Sequence, residues 1–331
     1  MKGAIDDLIL ITGGAGFIGS HIACDLASSG ERVVVADLLG SEEKWRNLAA
    51  ASLFDIVRPD ALFPWLERHG ERVSRVIHMG AISSTAERDI DRLLTANIRL
   101  SLDLWGWCAQ NRARMIYASS AATYGDGSAG FVDDETPQAL ARLAPRNAYG
   151  WSKHFFDRRV AADKAAGRPL PRQWAGLKFF NVYGTKEAHK GPMQSAVGRI
   201  CRSLAAGEPV TLFRSHNPLF PDGGQKRDFI HVEDCVAIVR WLLANPQTSG
   251  LFNAGTGVAR SFLEVAEAAA AALGRAPEIR LIDTPQEYRK AYQYFTEADT
   301  AKLRKAGFTA PFHTLEEGVR ALLAAEASRA L

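Results

Sequence analysis

Cysteine is scarce in this 331-residue chain: Cys24, Cys108, Cys201 and Cys235 are scattered, and no two form a CxxC pair. That spacing argues against a disulfide framework and against a thiolate metal site. Three of the four fall in helical apolar patterns and read as buried free thiols. Long apolar runs are missing too, so nothing reaches the ~20 residues of a membrane-spanning helix. Met1 to Asp7 has no charged-then-apolar leader pattern, and the expected location is therefore the cytoplasm. Charge of one sign is also lacking, since 40 basic against 37 acidic residues leave a net +3. That is too little for a nucleic-acid footprint. No internal repeat or low-complexity linker interrupts the chain. What remains is 47% hydrophobic and 23% charged, enough to bury a full core, and the length suits one large α/β domain or two domains sharing a cleft.

Glycine is where the sequence becomes specific. Ile11-Thr12-Gly13-Gly14-Ala15-Gly16-Phe17-Ile18-Gly19 follows an apolar run, Leu8 to Ile11, that reads as a buried parallel strand. The same stretch opens a helical pattern from Phe17 to Ser29. Gly13, Gly16 and Gly19, three apart, permit a tight turn, a pyrophosphate approached without an intervening Cβ, and a helix packed on a strand. The helix N-terminus then aims free N–H groups and the positive end of its dipole at the phosphates. Gly30 stops the helix, Val33 to Ala36 is a second strand, and Asp37 stands at its end, where a carboxylate can bind an adenosine ribose. Lys44 and Arg46 could meet a 2′-phosphate on that ribose, or form a solvated face. Leu53 to Val57 reads as a short strand whose Asp55 could cap an adenine pocket.

Strands and helices then alternate. Pro59 to His69 reads as a helix with proline where a missing N–H costs least, and Val73 to His78 as a strand ending in the small residues Met79-Gly80-Ala81. Asp89 to Ala109 reads as one long amphipathic helix containing Asn97, with Trp105 and Trp107 as packing residues. Arg114 to Ser119 is a strand, 125–146 a loop, Tyr149 to Ala166 a helix and Trp174 to Phe180 a strand. The pattern predicts an α/β fold, a Rossmann-type doubly wound parallel sheet. Residues 1–180 form the expected dinucleotide-binding domain, with a return near 226–260. Residues 181–331 are mainly a smaller C-terminal substrate-binding α/β cap, with the ligand crevice between the two. Within the cap 181–192 reads as loop, Ser195 to Ala206 as helix, and Ser261 with Glu264 as a capping box.

Tyr149-Gly150-Trp151-Ser152-Lys153 places a phenol and an ammonium one helical turn apart. A free tyrosine titrates near pH ~10 and is a poor base at neutrality. A cation one turn away, with a nicotinamide cation nearby, favours phenolate and is expected to lower that pKa. Tyr149 could then take a hydroxyl proton while hydride leaves the same carbon. Ser120, at the end of the preceding strand, could hydrogen-bond the substrate oxygen.

Taken with Asp37, Ser119-Ser120, Asn181-Val182-Tyr183-Gly184 and Arg227-Asp228-Phe229-Ile230-His231-Val232, these pieces resemble the extended short-chain dehydrogenases/reductases, the sugar-nucleotide epimerases and dehydratases. Within them the chain is most similar to the ADP-glycero-manno-heptose 6-epimerases, through Gly80-Ala81-Ile82-Ser83-Ser84-Thr85, Tyr117 to Gly125, and His189-Lys190-Gly191. Asn253 to Gly257 and Tyr292-Gln293 with Phe295-Thr296 add to that likeness. The resemblance implies that NADP, with NAD as the alternative, oxidises C6″ of an ADP-heptose and returns the hydride to the other face, supplying heptose for lipopolysaccharide core. It implies acid/base roles for Tyr149 and Lys190; on its residues alone Lys190 reads as a loop lysine or a diphosphate contact. Beside Gly13, Gly16 and Gly19, the implied cofactor residues are Phe17, Ile18, Asp37, Lys44, Met79, Gly80, Ala81, Ile82, Ser83, Asn97, Lys153 and Val182. The implied substrate residues are Asn181, Phe213, Arg227 and Tyr292, with Arg227 able to clamp a diphosphate. The only implied partners are the small-molecule ADP-sugar and further copies of the chain in a closed homo-oligomer, a pentamer; no nucleic acid and no membrane is implied.

Some positions depart from the family pattern. Leu38 stands where Asn usually flanks the ribose acid, Pro192 replaces a serine, Arg199 a histidine, and 217–224 is an insertion. A 4,6-dehydratase needs an Asp-Glu pair where this chain has Ala121 and Ala122, so no acid/base pair for water elimination stands there and that reading is poor. A 4-epimerase or a ketose reductase would use Tyr149, Lys153 and Ser120 equally well. A non-catalytic dinucleotide-sensing scaffold would need none of the three.

Overall fold

The structure is a computed structural model that describes residues 7–41, 43–289 and 292–330. The N-terminal stretch before Asp7 and Glu42 of the polar segment lie outside the described residues. In chain order the strands are β1 (Leu8–Thr12), β2 (Arg32–Ala36), β3 (Asp55–Val57), β4 (Val73–His78), β5 (Arg114–Ser120) and β6 (Gln173–Phe179). They continue with β7 (Asn181–Tyr183), β8 (Val210–Phe213), β9 (Lys226–His231), β10 (Gly250–Ala254), β11 (Ala259–Ser261) and β12 (Ile279–Ile282). Seven of them form one parallel sheet in the order β10-β6-β5-β4-β1-β2-β3. The order reverses between β1 and β4, so a crevice opens beyond their carboxyl ends. A three-stranded sheet, β11-β9-β7, and a two-stranded one, β12-β8, lie outside it.

The core follows from alternation. Ile9 and Ile11 of β1 join Ile22 and Val239 on one face of the sheet, while Leu8 and Leu10 join Leu104, Trp105 and Phe156 on the other. Trp105 packs edge-on against Phe156 and Trp174, both 6.0 Å away between ring centroids, so it is core. A separate cluster built on Val197, Ile200, Val265 and Val319 fills the space among the helices Ala196–Ala205, Phe262–Ala272 and Leu315–Ala330. The Ser261–Glu264 capping box forms as expected. No helix among the described residues is long and apolar enough to cross a membrane.

The differences from the sequence reading are local. The 125–146 loop contains a helix, Pro137–Ala141, whose first turn is capped by Thr136; the Thr-Pro start signal was there to be read. Residues 181–192 hold β7 and a 3₁₀ stretch, Ala188–Met193. The long helix after Asp89 widens into a π turn over Leu94–Arg99, which sequence periodicity does not encode. Asp55 lies apart from the crevice and accepts a hydrogen bond from the Trp65 indole at 2.8 Å.

The helix Ala148–Ala165 is fixed to the sheet by a buried ion pair. Lys178 of β6 donates to Asp157 Oδ2 at 2.9 Å and to Thr123 at 2.7 Å, and Ser119 of β5 donates to the same carboxylate at 2.6 Å. Neither charge touches solvent. Removing one partner strands the other charge, a loss of about 3–5 kcal/mol. Lys178→Met is therefore expected to lower the unfolding free energy by that order in urea titration. A change below about 1 kcal/mol would show that the pair does not anchor the helix.

Candidate active site

One cleft of about 1060 Å³ runs along the carboxyl ends of β1 and β4 and brings most of the candidate residues together. At its floor two glycines of the loop leave no room for a side chain. Gly13 adopts φ +65°, and a Cβ there would come within 2.5 Å of the Gly80 backbone. At Gly19 a Cβ would meet the Gly13 carbonyl oxygen at 2.2 Å. The helix Phe17–Ser28 starts from Gly16 with no side-chain cap, so its first N–H groups are available to an anion. At the next strand end Asp37 is buried. Its Oδ2 accepts from the Ala15 N–H at 2.8 Å, and its Oδ1 from the Leu38 N–H at 2.7 Å and Lys44 Nζ at 2.6 Å. A bare backbone cradle beside a fixed carboxylate fits a dinucleotide.

Met79, Gly80, Ala81, Ile82 and Ser83 line the cleft, as do Phe17, Ile18, Lys44 and Val182. Asn97 does not, contrary to a direct contact role. It is buried behind Ile82, accepting from the Ile82 N–H at 2.8 Å and donating to the Ile82 carbonyl at 3.0 Å. Its amide also donates to Ser152 Oγ at 2.9 Å, and Ser152 donates to the Tyr149 carbonyl at 2.7 Å.

His78 extends this chain to the glycine loop. Ser101 spends its hydroxyl hydrogen on the Asn97 carbonyl, so towards His78 Nε2, 2.9 Å away, it can only accept. His78 Nε2 therefore carries the hydrogen, and Nδ1 accepts from the Thr12 hydroxyl at 2.6 Å. Thr12 Oγ1 in turn accepts from the Gly80 N–H at 3.2 Å. Burial, reinforced by Lys153, holds the His78 pKa down to about 3, so the ring stays neutral.

Tyr149, Lys153 and Ser120 meet in the cleft. Among the protein's own groups, burial raises the Tyr149 pKa; a hydrogen bond with Ser120 opposes that rise and Asp157 adds to it. Burial also lowers Lys153, to about 8, against the pull of Asp157.

Lys190 and Asn181 also line the cleft. Lys190 Nζ lies 4.9 Å from the centre of the Phe17 ring and donates to Glu187 Oε2 at 2.7 Å. The remaining candidates, Arg227, Phe213 and Tyr292, are outside the cleft lining and form their own group. The Arg227 guanidinium sits 5.5 Å over the Tyr292 ring, which meets Phe213 edge-on at 6.2 Å. Sequence reading passed over Glu187, Phe180 and Arg99, of which the latter two line the cleft. The i, i+3 spacing of Glu187 and Lys190 was the available signal for the first.

The model of the NAD dependent epimerase/dehydratase family matches residues 9–255. The chain is 46% identical over 320 residues to the ADP-L-glycero-D-manno-heptose-6-epimerase of Nitratidesulfovibrio vulgaris, covering 94% of this chain and 95% of that one. It is 42% identical over 322 residues to the protein of the same name from Fusobacterium nucleatum, covering 95% and 96%. Among solved structures, the Helicobacter pylori ADP-L-glycero-D-manno-heptose-6-epimerase superposes with a TM-score of 0.79 at 26% identity, covering 99% of each chain.

The depressed Lys153 pKa makes a stability prediction. In the unfolded chain this amine titrates near 10.5 and in the fold near 8. Below pH 8 it is charged in both states and burial penalises the fold in full, by about 3 kcal/mol. The penalty fades as pH rises from 8 to 10.5. Lys153→Met is expected to stabilise the protein at pH 7, with a gain that shrinks above pH 8 in urea melts across that range. Equal or lower stability at pH 7 would contradict the assignment.

Proposed function

On the premise that this chain belongs to the NAD dependent epimerase/dehydratase family, we propose that it interconverts the C6″ epimers of ADP-glycero-D-manno-heptose. The observation that carries the reading is that Tyr149 and Lys190 line one cleft from separate elements, an α-helix and a 3₁₀ stretch. Inverting a carbinol centre by oxidation and re-reduction needs a proton-handling group for each face. A bound nicotinamide supplies hydride acceptance and return. Tyr149 takes or returns the hydroxyl proton on one face, with Ser120 holding the substrate oxygen, and Lys190 does so on the other. Lys153, close to neutrality in its titration, orients the ribose and adds positive charge when protonated. No net redox occurs, so the tight glycine cradle has reason to retain the cofactor through turnover.

The cofactor of this reading is NADP. Lys44 neutralises the Asp37 carboxylate, which would otherwise repel a 2′-phosphate. On the substrate side Arg227 donates to the Lys226 carbonyl at 2.8 Å and keeps further N–H groups for a diphosphate. The reading places the enzyme in the cytoplasm as a closed homo-oligomer, a pentamer on the family pattern. Trp151 and Phe155, each 41% exposed and 6.0 Å apart on one helix face, support a contact between copies.

The test is incubation with ADP-D-glycero-D-manno-heptose followed by separation of the two C6″ epimers, and identification of the cofactor released on denaturation. Tyr149→Phe is expected to cut kcat by about 10²–10⁴ while cofactor content and melting temperature stay unchanged. Epimerisation that survived Tyr149→Phe, or no epimerisation by the loaded wild type, would refute the reading.

A further inference from the structure

Glu187 is 3% exposed, and its carboxylate accepts three hydrogen bonds, all from one short segment. Oε2 accepts from Lys190 Nζ at 2.7 Å and from the Ser195 N–H at 2.8 Å; Oε1 accepts from the Ser195 hydroxyl at 2.6 Å. Ser195 is also the N-cap of the helix Ala196–Ala205, with its Oγ accepting from the Gly198 N–H at 3.0 Å. Glu187 thus sits on the positive end of a helix dipole and on an ammonium together. Between them Gly191, at φ +50°, reverses the chain. Arg199 braces the same loop, donating to the carbonyls of Pro192 at 3.0 Å and Gln194 at 3.2 Å.

For Lys190 the consequence is a fixed address. Among the described residues Glu187 is the acceptor of its ammonium, which keeps two of three N–H donors for the cleft. The other titratable neighbour is His189; burial, Lys44 and Lys190 hold its pKa down, against Asp37 and Glu187. We propose that Glu187 is the positioning residue for Lys190, holding the ammonium at the cleft so that it can deliver a proton to the substrate oxygen. The proton passes from Lys190 Nζ to the oxygen as hydride returns to C6″; solvent then reprotonates the nitrogen and takes up the proton that Tyr149 received, so both groups are reset for the next turnover. This inference rests on the reading that Lys190 handles a proton in turnover.

Glu187→Gln tests it, because the amide oxygen can still accept from Ser195 while the negative charge is gone. The expected result is a 10- to 100-fold fall in kcat with KM within about twofold. Glu187→Asp, which keeps the charge that holds the ammonium, is expected to restore kcat to within about threefold of wild type. Ser195→Ala loosens the same clasp without touching the contact to Lys190 and is expected to leave kcat within about threefold, whatever its cost in melting temperature.

A kcat unchanged in Glu187→Gln, lowered equally by Ser195→Ala, or not restored by Glu187→Asp, would make Glu187 a structural clasp and overturn the inference. Lys190→Ala separates that failure from failure of the underlying reading. Turnover that survives Lys190→Ala refutes the role of Lys190 itself. Loss of turnover there, beside wild-type behaviour in Glu187→Gln, refutes only the role of Glu187.

Discussion

The buried ion pair between Asp157 and Lys178 is the constraint on which the site's geometry depends. Tyr149, Lys153 and Asp157 fall at four-residue intervals on one helix, so fixing the last fixes the azimuth of the other two. Two charges without solvent contact gain little net stability over a well-packed apolar pair. What they supply is register: Asp157 accepts from strands β5 and β6 at once, and the helix has one rotational setting that satisfies it. Burial outweighs the attraction of Asp157 for Lys153, whose pKa stays depressed.

The same helix is tied to the cofactor cradle. From Gly80 through Thr12, His78, Ser101, Asn97 and Ser152 to the Tyr149 carbonyl, the hydrogen bonds form one chain whose middle links have a fixed direction. A neutral histidine suits that place, since a second ring hydrogen would turn Thr12 from donor into acceptor. The π turn over 94–99 belongs to this arrangement. It contains Asn97, whose side chain serves Ile82 and Ser152 while its carbonyl serves Ser101. Such turns recur at functional sites.

How much of this was legible in the sequence depended on range. β1, the glycine turn, β2 and Asp37 could be read because each is a local pattern: an apolar run, a backbone needing no Cβ, an acid at a strand end. The central sheet followed from alternation, and the Ser261 cap from its own four residues. The π turn, β7 and β8 could not be read, because they exist only through distant partners; β7 pairs with β9, nearly fifty residues on. The site shows the same division. Tyr149, Lys153 and Ser120 meet in the cleft, whereas Asn97 supports it from behind and Arg227, Phe213 and Tyr292 gather beyond it. Spacing gives the charge that neighbours the phenol but not its depth of burial, and among the protein's own groups burial is the largest effect and raises its pKa. Two departures from the family pattern, Pro192 and Arg199, turn out to touch each other, a coupling invisible in either residue alone.

The central claim is that configuration is inverted by hydride leaving C6″ and coming back within one active site, not by removal of a carbon-bound proton. The most direct measurement uses substrate carrying deuterium at C6″, in ordinary water, with mass analysis of the epimeric product. The product is expected to keep its deuterium, and turnover to show a primary isotope effect. Deuterium lost to solvent, at a rate matching epimerisation, would contradict it.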